Sequence, residues 1–138
     1  MQSVNFQTTN PAQLTDRVTE LQIAVQSDEA NNLAVAKYTA AGAIALGGTA
    51  FLKTGTAGAM TLAQPLPGLQ SASGNDGMIM RIVALDAEDY TVTTAADGIN
   101  GAEDTATFGG AIGDSITLVA FGGVWYTLAL VGVTLSEV

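Results

Sequence analysis

The chain has 138 residues, 48% of them hydrophobic, with no cysteine, no histidine, thirteen acids, four bases and a formal net charge of -9. That length holds one compact domain, and the missing cysteines and histidines remove disulfide staples, thiol nucleophiles, the commonest general base and the usual transition-metal ligands. The acidity repels a phosphate backbone, the bases Arg17, Lys37, Lys53 and Arg81 are scattered, and nothing approaches 18 consecutive apolar residues, so neither nucleic acid nor a membrane is an expected partner.

Residues 1–10 are polar apart from Val4, Phe6 and the initial Met1, and read as an arm without the charged and apolar regions of a signal peptide. Asn10, Pro11 and Gln13 offer an N-cap, a first-turn proline and a capping-box partner, and Leu14, Val18, Leu21 and Val25 follow at helical spacing. The alternation of Leu21, Ile23 and Val25 fits a strand as well, so residues 11–26 read equally as a short helix or a strand. Spacings of 4, 3 and 4 also make a two-heptad seam for self-association, although an ordinary amphipathic face packed on its own domain is the commoner use of such a pattern. The polar run 26–32 then separates an N-terminal segment, 1–32, from a β-domain, 33–138.

From Leu33 onward the pattern is short strands and glycine turns. Runs at 33–38, 43–46, 49–53 and 59–62 are punctuated by Gly42, Gly47-Gly48 and the 55–58 turn, and Pro65 and Pro67 open a loop that continues to Gly77. Residues 78–84 are almost wholly apolar, as in a central strand covered on both faces, and with 90–94 they predict a hairpin across the acidic turn Asp86–Asp89. Residues 105–108 form a short run, and Gly122-Gly123 between 115–121 and 124–130 predicts a second, tight hairpin before a last run at 131–135. Eight or nine strands, with no βαβ alternation and no internal repeat, predict an all-β domain: an antiparallel β-sandwich or jelly-roll-like fold with an N-terminal arm or short helix.

Carboxylates and hydroxyls are what remains for chemistry. Asp86, Glu88 and Asp89 crowd one turn and Asp97, Asn100, Glu103 and Asp104 the next, which makes calcium conceivable, but neither turn fits the EF-hand loop and such residues favour turns in any case. The glycines of 109–113 lack the lysine of a phosphate loop. No catalytic residue, cofactor or metal ligand is therefore expected, and the chain reads as a non-enzymatic structural or binding module. Trp125 and Tyr126 point to opposite faces of a strand, the first expected in the core and the second at a surface or interface. Met60, Met78 and Met80 suit core gaps or an adaptable interface.

Asn75-Asp76-Gly77 before a buried strand, Tyr90-Thr91-Val92-Thr93, Gly113-Asp114-Ser115-Ile116-Thr117-Leu118 and Gly123-Val124-Trp125-Tyr126 together resemble the small β-domains of tailed-bacteriophage virion proteins. The resemblance covers roughly residues 75–130 and carries over no binding site. It implies a capsid decoration or cement protein, commonly a homotrimer, sitting on the virion surface against the major capsid protein; a phage fibre or carbohydrate-binding module is the alternative. Interface candidates on that reading are Phe6, Leu14, Val18, Leu21 and Val25 of the N-terminal segment and Tyr126 of the β-domain.

Overall fold

The structure, a computed structural model, describes residues 34–138, which form an all-β fold of two five-stranded sheets sharing one core. The front sheet has the order β1-β3-β5-β8-β9, with β1 Val35–Tyr38, β3 Gly48–Leu52, β5 Ile79–Ala84, β8 Ser115–Phe121 and β9 Val124–Val131. The back sheet has the order β2-β4-β6-β7-β10, with β2 Gly42–Ile44, β4 Gly58–Leu62, β6 Tyr90–Thr93, β7 Thr105–Phe108 and β10 Val133–Ser136. The predicted arm and the helix-or-strand segment at 11–26 lie outside the described residues.

Period-two burial builds the core. In β4, Gly58, Met60 and Leu62 point inward while Ala59 and Thr61 face out, and β8 buries Ile116, Leu118 and Ala120 in the same way. From the two sheets Leu52, Met80, Ile82, Tyr90, Phe108 and Trp125 meet with them, each large side chain contributing about 1.5–3 kcal/mol by leaving water. Tyr90 and Phe108 pack edge to face with ring centroids 6.3 Å apart. The three methionines among the described residues, Met60, Met78 and Met80, are core residues.

The strand pairing corrects two expectations. Four of the eight pairings are parallel rather than antiparallel: β1 with β3, β3 with β5, β2 with β4, and β4 with β6. Strands β1 to β6 alternate between the sheets, so the chain winds as a coil, and β7 to β10 extend both sheets with antiparallel strands. Inward-outward alternation is the same for parallel and antiparallel neighbours and does not distinguish them. The coil leaves no fixed repeat either, because Val35 pairs with Thr49, 14 residues on, whereas Gly48 pairs with Met80, 32 residues on.

The second correction is that β5 and β6 form no hairpin, since they belong to different sheets. The intervening residues carry the chain across, and Asp86 ties this crossing to the β3–β4 crossing by accepting hydrogen bonds from Gly55 N (2.9 Å) and from the Tyr90 hydroxyl. The other predicted hairpin, β8–β9, is present, with Gly122 and Gly123 both at positive φ (60° and 84°) as a primed turn requires. At the far end of β9 the single residue Gly132 (φ 62°) turns the chain into β10 of the back sheet.

Candidate functional site

The β8–β9 hairpin is held by two loops. Trp125 is buried on β9 and donates its Nε1–H to Ala63 O at 2.9 Å, its backbone N–H to Gly98 O at 3.0 Å, and accepts from Asn100 N at 2.7 Å. The Asn100 carboxamide accepts from Thr127 N at 3.0 Å, Asp76 accepts from Gly122 N at 2.8 Å, and Gln64 donates to Gly123 O at 3.0 Å. With Trp125 fixed inward, Tyr126 projects from the opposite face and is 41% exposed, as the sequence predicts.

Tyr126 belongs to a larger apolar surface. Register places Lys37, Phe51, Val83, Ser115 and Val131 in one outward row of the front sheet, Val35, Thr49, Arg81, Thr117 and Ala129 in the next, and Ile79, Val119 and Tyr126 in a third. Phe121 and Val124 close the face at the hairpin end. Lys37 and Arg81 are its charged residues, and none of the nine acids at positions 34–138 lies on it. The central strand β5 thus has its inner face covered by the back sheet while Ile79 and Val83 stay partly exposed on the outer one. A run as apolar as β5 is typical of strands covered on both faces.

The outer face of the back sheet is chemically different. It carries the rows Ala43, Thr61, Thr93, Thr105, Ser136 and Ala59, Thr91, Thr107, Thr134, small and uncharged throughout. The acids gather instead in the turns and loops. There Asp86 has its carboxyl held below the ordinary 3.8, first by the hydrogen bond from Tyr90, against a smaller opposing effect of desolvation, and further by the bond from Gly55. Burial, followed by the carboxylate of Asp86, pushes the Tyr90 phenol up from 10.0. Asp104 accepts from Thr105 Oγ1 at 2.8 Å and from Val138 N at 3.1 Å, and Asp114 accepts from Ala111 N at 3.0 Å. Among the described residues no three His, Cys, Asp or Glu side chains are grouped so as to hold a metal. The acids seen in contact fasten loops.

Of the interface candidates, Phe6, Leu14, Val18, Leu21 and Val25 lie outside the described residues, and Tyr126 stands on the apolar front face. Sequence reasoning did not single out the other exposed apolar residues of this hairpin: Phe121 (64% exposed), Leu128 (59%), Leu130 (41%) and Val131 (57%). The signal was there in Val124–Val131, which is apolar at both odd and even positions and carries no charge. No helix among the described residues is long and apolar enough to cross a membrane. No family model and no curated protein matches this chain.

Proposed function

We propose that this chain is a structural virion protein of the capsid decoration type, acting without catalysis, as a homotrimer bound to the major capsid protein on the outside of an assembled phage head. The observation that carries the reading is the front face: broad, formed by five strands, mostly apolar, and free of acids in a chain of net charge -9. A protein that stabilises a shell must bury such a surface, and apolar area with few charges is what the centre of a stable interface requires. The likeness of residues 75–130 to phage virion β-domains supports the choice of shell, and the strands that carry it, β6, β8 and β9, are ordered parts of this fold.

A decoration protein stabilises by mass action, because it binds the assembled state and not the separated subunits. At a free concentration 100 times its dissociation constant it adds about 2.7 kcal/mol per site. The test is to mix the purified protein with undecorated capsids, separate bound from free by sedimentation, and melt the capsids with and without it. Cosedimentation with a raised capsid melting temperature supports the proposal, and absence of binding at micromolar concentration rejects it. Specific binding on a glycan array in place of capsid binding would transfer the chain to the fibre or carbohydrate-binding alternative.

A further inference from the structure

The two sheets have four edges, and three carry features that discourage pairing with another chain. β1 is four residues long and bears Lys37; β2 has three residues and begins at Gly42 with φ 152°; β10 has four residues and exposes Thr134 and Ser136. β9 is the exception, with eight residues and neither a charge nor a proline. Its first half is already closed, because Trp125 and Thr127 bond to the 98–100 loop. The second half, Leu128 to Val131, is exposed at every position, on both faces of the strand. The β-bulge opposite Thr117 and Leu118 lies at its start, and beyond it Leu130 is paired with the fully buried Ile116 yet remains exposed itself. This half-strand has the composition of a sheet interior and the position of an edge.

We propose that the open half of β9, Leu128 to Val131, is the contact between copies of this chain. The inference rests on the preceding reading only in that copies associate; it does not depend on a capsid. Three observations select a second copy as the occupant. β8 and β9 hold no charged residue, so two molecules of net charge -9 meet there without burying an ionised side chain. An apolar edge left open among the described residues needs a partner offering another such edge, and β9 of a second molecule is one, an isologous contact that joins copies in pairs and so departs from the homotrimer proposed above. Leu128, Leu130 and Val131 are 59%, 41% and 57% exposed and lie on both faces of the strand, so a neighbour that continues the sheet covers both sides where a ligand seated on one face covers half.

The experiment is sedimentation velocity on the full chain, without capsids, from nanomolar to high micromolar concentration. Wild type, the double variant Leu128→Lys with Leu130→Lys, and a control, Thr107→Lys on the back sheet, are compared. The proposal expects wild type and control to assemble and the double variant to be a folded monomer, its dissociation constant raised about 100-fold or more. A monomeric wild type, or a folded double variant that still assembles, overturns it, and so does assembly abolished by Leu14→Lys with Val18→Lys but untouched at β9. Hydrogen exchange on wild type gives a reading independent of whether the variant folds. Protection of the Leu130 amide that falls on dilution supports a second copy, whereas protection independent of concentration, or none at any concentration, rules it out. Capsid binding assayed separately shows whether failure belongs to this contact or to the decoration reading.

Discussion

Tyr90 joins the core to a crossing loop. Its ring is fully buried, while its hydroxyl donates to Asp86 and accepts from Thr54 N at 2.9 Å and from Thr54 Oγ1 at 3.2 Å. Tyr90→Phe keeps the packing but takes away the partner of Thr54 N and one of the two donors to Asp86, so chemical denaturation should report a loss of about 1–2 kcal/mol. The pH dependence has a defined sign. The folded carboxyl of Asp86 titrates below its ordinary 3.8, so its contribution is complete above that value and is lost as pH falls through the lower folded value. Denaturation curves from pH 7 to pH 2 should show this acid limb in wild type and a shallower one in Tyr90→Phe. The phenol acts in the opposite direction, its contribution being complete below pH 10.0 and lost as pH rises through the raised folded value. Gly132 is a sharper case, since a Cβ there would lie 2.0 Å from Asp114 Oδ1 at a φ of 62°. Gly132→Ala should cost about 3 kcal/mol, from overpacking and backbone strain together, read as a lowered denaturation midpoint. At this scale the sequence was partly legible. The opposed roles of Trp125 and Tyr126 follow from adjacency on a strand, whereas Asp86 reads as one more turn acid until Gly55 and Tyr90, 31 residues before it and 4 after, are brought to it.

Among the elements, the hairpin β8–β9 was legible because its turn demands a particular backbone. Both loop residues have positive φ, which glycine adopts freely, asparagine tolerates and a β-branched residue resists. Gly122→Asn should therefore melt within a few degrees of wild type, and Gly122→Val should lose about 1–2 kcal/mol, as thermal unfolding will show. The β5–β6 hairpin was misread because alternating apolar residues on either side of an acidic turn describe a strand on each side and not which sheet each joins. What redirects β6 is its register with β4, where Gly58 pairs with Tyr90 and Met60 with Val92. A Cβ on Gly58 would stand 3.3 Å from the Tyr90 ring, so this pairing uses the missing side chain to seat the aromatic residue. No local pattern encodes a contact between residues 32 positions apart.

For the whole molecule, the composition was the more informative guide. Charged residues are 12% of the chain, too few to cover an ordinary monomer's surface, and the fold leaves both sheet faces nearly free of charge, with the large apolar side chains on the front face and the β9 edge. The division at residue 33 has its own test. The core described in both sheets is assembled from residues between Ile44 and Val133, so a fragment spanning 34–138 should unfold cooperatively, within a few degrees of the full chain by calorimetry. The candidate surface was only partly legible, because exposure on both faces of β9 depends on where the back sheet stops covering it.

The alternation of β1 to β6 between two sheets also bears on how quickly the molecule forms. None of the strands β1 to β5 pairs with its immediate successor, so each parallel contact closes a loop of at least 14 residues before any ladder hydrogen bond is gained. The tight β8–β9 hairpin is the pairing with the shortest connection and is the natural nucleus, with β5 recruited to β8 and the coil completed backward toward β1. Such a topology places refolding in the millisecond-to-second range rather than microseconds. During that interval the uncharged strands β8 and β9 are exposed before the rest of the front sheet, which makes the order of folding and assembly a kinetic competition.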